Sequence, residues 1–176
     1  MRTLLEGAAR RKHTQAPPHL RPLQRGFGVT ATLHTSLGPI SVREDQGIIA
    51  ALNWHAADHD ATLLEQEALR QLDQYFAHER TVFDLPLDYG TGLHEQVRRA
   101  MSAIPQGETR TYGDLARDLK VPAQSIGQAC GANPVPILIP CHRILGAHSL
   151  GGFSAKGGVE TKVWLLKHEG AAGLLL

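Results

Sequence analysis

The chain has 176 residues, a formal net charge of +1 and 42% hydrophobic side chains, which suits one ordinary domain or two small ones and excludes a disordered protein. No apolar stretch reaches the length of a bilayer span and residues 1–6 lack a secretory core, so a soluble protein with no membrane partner is expected. Two cysteines, Cys130 and Cys141, are too few for a disulfide framework, and a reducing, cytoplasmic setting is expected.

The near-zero net charge hides a segregation. Residues 1–25 carry six basic side chains against Glu6, residues 26–90 carry three arginines against ten acids, and residues 91–176 carry nine basic against six acidic. A nucleic-acid partner would therefore meet the second half, with the acidic middle facing away.

Residues 1–24 are rich in Arg, His, Pro and Gln with no sustained period, which predicts a flexible basic tail. From Phe27 the pattern changes. Residues 28–33, 37–42 and 48–54 read as three short strands at hairpin spacing, an antiparallel sheet. Over residues 61–77 the side chains Leu63, Leu64, Ala68, Leu69, Leu72, Tyr75 and Phe76 recur at helical spacing, predicting one amphipathic helix over that sheet. His55 and His59 lie four apart, but nothing supplies a second pair of ligands, so no metal is assigned. Residues 81–89, with Leu85-Pro86-Leu87, read as an extended crossover.

The second half reads as mostly helical. Leu93, Val97, Ala100, Met101 and Ile104 mark a helix stopped by Pro105 and Gly107. Thr111 with Asp114 three residues on is a carboxylate variant of the capping box, opening a short helix. Lys120-Val121-Pro122 turns the chain into a second short helix at residues 123–131, built from small side chains. Helix, tight turn, helix is the plan of a helix-turn-helix DNA reader, whose second element enters a groove. Then comes Ile137-Leu138-Ile139-Pro140-Cys141-His142-Arg143-Ile144. The apolar run suits a buried strand or extended segment that Pro140 ends, delivering Cys141 at the edge of a core beside a histidine and an arginine. A thiolate is the reactive form of cysteine, and neighbouring cationic or proton-accepting groups favour it. Cys130 reads as a small packed side chain.

The stretch Asn133-Pro134-Val135-Pro136-Ile137-Leu138-Ile139-Pro140-Cys141-His142-Arg143-Ile144 resembles the active-site signature of the O6-alkylguanine-DNA alkyltransferases. Residues 104–116, from Ile104-Pro105-Gln106-Gly107 to Tyr112-Gly113-Asp114-Leu115-Ala116, resemble that family's approach to its helix-turn-helix. Residues 157–170, from Gly157-Gly158 to His168-Glu169-Gly170, resemble its last helix. The resemblance runs from about Leu93 to Gly170. It implies an α/β (α+β) fold: a small ribonuclease-H-like N-terminal domain at 25–87, with a three-stranded antiparallel sheet plus a helix, and a mostly helical domain at 88–176.

The resemblance also implies single-use chemistry. Cys141 would accept the alkyl group as a thioether, His142 would take the thiol proton through a bridging water, and Glu169 would orient that histidine. Asn133 would tie the preceding turn to the loop holding the cysteine. Tyr112, Ser154 and Ile144 would meet the flipped base, and Ala123, Gln124, Ser125, Gly127 and Ala129 would meet the minor groove. Arg143 would serve either a DNA phosphate or a buried ion pair. The implied partner is double-stranded DNA containing O6-alkylguanine, the implied cofactor is none, and a monomer is expected. One residue departs from the family: Gln124 stands where an arginine usually replaces the extruded base. Leu93 and Arg98 also stand where aromatic residues are usual. Two other readings stay open, a lesion-sensing homologue that binds without transfer and a cysteine hydrolase.

Overall fold

The computed structural model describes residues 30–171. The basic tail and the first residues of the expected opening strand lie outside the described residues. Strands β1 (Thr32–Thr35), β2 (Gly38–Asp45) and β3 (Ile48–Asn53) form an antiparallel sheet in that order. Leu33 pairs with Ile40 and Val42 with Leu52. The first strand sits later than its apolar pattern suggests. Thr35 fixes the hairpin turn, its hydroxyl accepting from the Leu37 amide at 3.1 Å and donating to the Gly38 carbonyl at 2.8 Å, while Ala31 is pulled aside to pair with the His59 carbonyl.

Helix α1 (Leu63–Phe76) opens with a capping box in which Thr62 and Glu65 exchange hydrogen bonds with each other's backbone amides. Its inward stripe is Ala68, Leu69, Leu72 and Tyr75, all buried with Ile40, Val42 and Ile49 of the sheet. Leu63, expected on that stripe, lies in the first turn and is 85% exposed. The crossover runs along β3: the Ile49 amide donates to the Pro86 carbonyl at 2.8 Å and the Asp88 amide to the Ile49 carbonyl at 3.1 Å.

The second half is helical as expected: α2 (Gly92–Ser102), α3 (Tyr112–Leu119), α4 (Ala123–Gly131) and α5 (Val159–His168). Two two-residue strands, β4 (Arg110–Thr111) and β5 (Ile144–Leu145), pair in parallel. That bridge sets the first residue of α3, Tyr112, beside the segment that follows Cys141. Thr111 caps α3 through the expected box with Asp114, and Lys120 ends it in a left-handed conformation, φ 56°, that turns the chain into α4.

Apolar side chains of both halves merge into one core, from Ile40, Val42 and Leu72 to Val97, Ile126, Ile139 and Leu165. Arg98 is 7% exposed inside it. Its guanidinium donates to the Ala132 carbonyl at 2.8 Å, where α4 ends. Gly90, at φ +70°, makes room for it, since a Cβ there would lie 2.7 Å from Nη1 of Arg98. The guanidinium thus acts as a charged cap on the C-terminal end of α4.

Thr111→Ala should lower unfolding free energy by about 1 kcal/mol, the usual worth of a helix N-cap. Urea denaturation followed by circular dichroism measures it.

Candidate active site

Residues 133–140 are no strand. The Asn133 side chain closes them into a tight loop, its amide donating to the Ile139 carbonyl at 2.8 Å and its oxygen accepting the Val135 amide at 3.2 Å. The Ile139 amide returns to the Val135 carbonyl at 2.9 Å, and from outside the loop the Leu52 amide of β3 donates to the Pro134 carbonyl at 2.8 Å. Held this way, Ile137 adopts φ +72° while 1% exposed. That conformation is a genuine outlier for a β-branched residue and persists only where its surroundings over-determine it. The apolar run is core, but its backbone bonds close on themselves.

The loop delivers Cys141, His142 and Arg143 on a single 3-10 turn, Cys141–Arg143. All three are buried. Cys141 lines a cavity of about 480 Å³ together with Tyr112, Gly127, Cys130, Gly131, Gly152, Phe153 and Ser154. A larger cavity of about 650 Å³ touches Pro140, Arg143 and Glu169 but is not lined by Cys141.

Glu169 sits just past the end of α5, with no exposed side-chain surface. Its Oε1 accepts from His142 Nε2, Arg143 Nη2 and the Tyr75 hydroxyl, each at 2.8 Å, and its Oε2 accepts from Arg143 Nε at 2.8 Å. Burial works against the carboxylate, but the hydrogen bonds from His142 and Arg143 outweigh it and hold Glu169 at about 2. An ionised carboxylate only accepts, so His142 carries its proton on Nε2. Nδ1 is then the lone-pair face, and among the described residues it has no hydrogen-bond partner. Burial pushes the His142 pKa down against the pull of Glu169, keeping the ring neutral and able to take a proton.

Burial likewise pushes the Cys141 thiol up, opposed by the Asn133 amide and the Lys162 ammonium. Lys162 is fully buried on the inner face of α5. Its Nζ donates to the Ile144 carbonyl at 2.6 Å and the Gly152 carbonyl at 3.3 Å, and burial lowers it to about 8. It ties the loop that carries Ser154 to β5 and places a positive charge near the sulfur. Burial also raises the Tyr112 phenol, with help from the two nearby thiols, so it stays a donor. Gly151, at φ +70°, lets the backbone reach that ring: a Cβ would lie 2.9 Å from Tyr112 Cε2.

Three expected site residues need correction. Arg143 is 5% exposed; its guanidinium is committed to Glu169 and the Ile104 carbonyl, so it forms the buried ion pair and is not placed to hold a phosphate. Ala129 is 1% exposed, on the inward face of α4 with Ile126 and Cys130. Ile144 is fully buried and does not line the cavity; its carbonyl receives Lys162. The face α4 leaves open carries Ala123, Gln124, Gln128 and Gly131, with Ser125 and Gly127 partly covered. Among the described residues, none would lie within 4 Å of a Cβ added at Gly127 or Gly131. Ser154 is exposed on the cavity wall, and Asn133 is 9% exposed. Cys130 and Cys141 are both free thiols, and Cys130 shares the cavity, with burial raising it to about 12. His59 turns to Glu65 at 3.3 Å and His55 to the Ala56 carbonyl at 2.9 Å.

Sequence reasoning missed Lys162, Tyr75 and Gly151. Lys162 could have been found: it falls on the buried spacing of Leu165, Leu166 and Glu169, and a lysine on an inward stripe is the informative exception. Tyr75 reads as one more core ring.

Comparison with known proteins gives this arrangement a family. The profile of the 6-O-methylguanine DNA methyltransferase ribonuclease-like domain matches residues 29–89, and that of the same enzyme's DNA-binding domain matches residues 92–171. The constitutive methylated-DNA–protein-cysteine methyltransferase of Bacillus subtilis is 35% identical over 153 residues, covering 78% of this chain and 93% of its own. That of Methanosarcina acetivorans is 43% identical over 110 residues, 60% of this chain and 69% of its own. The crystal structure of the Mycobacterium tuberculosis protein in complex with DNA superposes with a TM-score of 0.69 at 34% identity, covering 80% of this chain and 91% of that one. The fold and these relatives define a protein-cysteine methyltransferase. The chain belongs to the O6-methylguanine-DNA methyltransferase family.

Lys162→Met should slow alkylation of Cys141 by iodoacetamide about tenfold below pH 8, the effect of roughly one unit on the thiol pKa. The gap should narrow above pH 8, because the wild-type ammonium itself deprotonates through about 8. A labelling rate measured from pH 6 to pH 10 tests both parts.

Proposed function

We propose that this protein repairs DNA by moving an alkyl group from O6 of guanine to the sulfur of Cys141, once per molecule. The observation that carries the reading is a neutral His142, fixed through Nε2 to Glu169 with Nδ1 unpartnered among the described residues, next to a thiol that lines an open cavity.

The atoms balance as follows. The Cys141 S–H proton goes to Nδ1 of His142, through a water in the manner the family resemblance implies, giving an imidazolium paired with Glu169. The thiolate attacks the alkyl carbon, a C–S bond forms and the C–O6 bond breaks. The electron pair leaves on guanine, and the proton held on His142 restores the neutral base through solvent. The Tyr112 hydroxyl, kept protonated, is the donor that steadies the leaving purine. A thioether has no labile bond for water to attack, so Cys141 stays blocked.

O6 is out of reach in a stacked duplex, and the nucleotide must swing out. The open, small-residue face of α4 suits close approach to the minor groove, with Ala123, Gln124, Ser125 and Gly127 as contacts and Gln128 and Gly131 added to them. Ser154, exposed on the cavity wall, supports a role for its loop in covering the extruded base. We assign a monomer acting on O6-alkylguanine in a reducing compartment such as the cytoplasm; among the described residues no helix is long and apolar enough to cross a membrane. A lesion sensor needs no thiol, and a base-orienting carboxylate behind Cys141 favours transfer over sensing.

Two measurements test this. Incubation with duplex DNA containing O6-methylguanine should add one methyl group to the Cys141 peptide by mass spectrometry, and Cys141→Ala should gain none; an unmodified wild-type protein would refute the reading. Gln124→Arg should raise the rate on duplex DNA about fivefold, the reach of roughly 1 kcal/mol of added charge and stacking. It should leave the rate on free O6-benzylguanine unchanged, since a free base needs no extrusion.

A further inference from the structure

We propose that Tyr75, from the helix of the N-terminal half, is a positioning residue for the transfer, its hydroxyl tuning and orienting the Glu169 carboxylate that holds His142. This rests on the proposed role of His142 as the proton acceptor.

Tyr75 is 1% exposed and lies 94 residues from Glu169 in sequence, yet its hydroxyl donates to Oε1 at 2.8 Å. His142 Nε2 donates to that same oxygen at the same distance. A carboxylate offers about four lone-pair positions, and Tyr75, His142 and the two Arg143 nitrogens supply four donors. The residue before Glu169 grips the same tyrosine: His168 Nε2 meets the Tyr75 carbonyl at 2.9 Å. Consecutive residues at the end of α5 thus clasp one residue at the end of α1, side chain and backbone together. The ring is held by Phe83, with centroids 5.6 Å apart, and by Phe76 at 5.4 Å. Burial and the Glu169 charge push the phenol far above its ordinary value, so it donates at every working pH.

A hydroxyl on Oε1 draws charge away from the oxygen that faces His142. Without it the carboxylate is more basic, the imidazolium is better stabilised and the His142 pKa rises. A base must be neutral to act, so the rate falls as pH drops through that pKa, and raising the pKa moves the acid limb to higher pH. The charged and titratable groups facing His142 are Glu169 and Lys162 from α5 and its end, and Cys141 and Arg143 on its own turn. Tyr75 reaches it through Glu169, while Tyr112 and Cys130 face the thiol.

The test is the pH dependence, from pH 5 to pH 8, of Cys141 alkylation by O6-methylguanine duplex and by iodoacetamide, in wild type, Tyr75→Phe and Phe83→Leu. Tyr75→Phe keeps the ring and three of the four donors. Its acid limb should move up by about half a unit with both reagents, a threefold slower rate at the low end. Phe83→Leu loosens the packing around the ring, so its Tm should fall with no movement of the limb. An unmoved limb in Tyr75→Phe, or an equal movement in Phe83→Leu, overturns the proposal. Should wild type react with iodoacetamide but take nothing from DNA, the repair reading fails while a shifted limb in Tyr75→Phe still upholds the tuning role.

Discussion

A single buried carboxylate organises this protein. Taking Glu169 out of water costs several kcal/mol unless its lone pairs are met, and the donors that meet them come from the 3-10 turn carrying the thiol and from the helix lying on the N-terminal sheet. Meeting that one demand fixes three things at once. It sets the tautomer of His142, it commits Arg143 to the interior, and it locks the ends of α1 and α5 together. His142, the base of the proposed transfer, is oriented by the same bonds that join the two halves of the chain.

The thiol lives under opposing demands. Shielding it from water keeps it as a thiol, and attack requires the thiolate. The fold answers with a fixed amide at Asn133, a buried ammonium at Lys162 and a neutral imidazole next door, each a preorganised group in a low-dielectric site. The ammonium is itself an uncomfortable tenant. Among the described residues two carbonyl oxygens solvate it, and its depressed pKa records the cost of burying the charge.

Much of this was legible in the order of residues. The capping box at Thr111 and Asp114, the helix at 123–131 and the helix over the sheet follow from local rules, in which side chains near in sequence meet backbone near in sequence. What escaped depends on distant contacts. A run of Ile137-Leu138-Ile139 looks like a strand until an asparagine four residues upstream folds it back. Tyr75 looks like one more core ring until its hydroxyl meets a carboxylate 94 positions on. Sequence leaves Arg143 between a phosphate and a buried ion pair, and the family resemblance puts Ala129 at the groove; only the burial pattern puts both inside.

Arg98 and Gly90 carry a last implication. The guanidinium needs the carbonyl at the end of α4, and Gly90 is constrained twice, by its φ of +70° and by the guanidinium that a Cβ there would press against. Across relatives the dependence should therefore run one way, with an arginine at 98 asking for a glycine at 90. A lineage that puts a ring at 98 still keeps the left-handed turn at 90, so the glycine should outlast the arginine even though neither residue touches the chemistry.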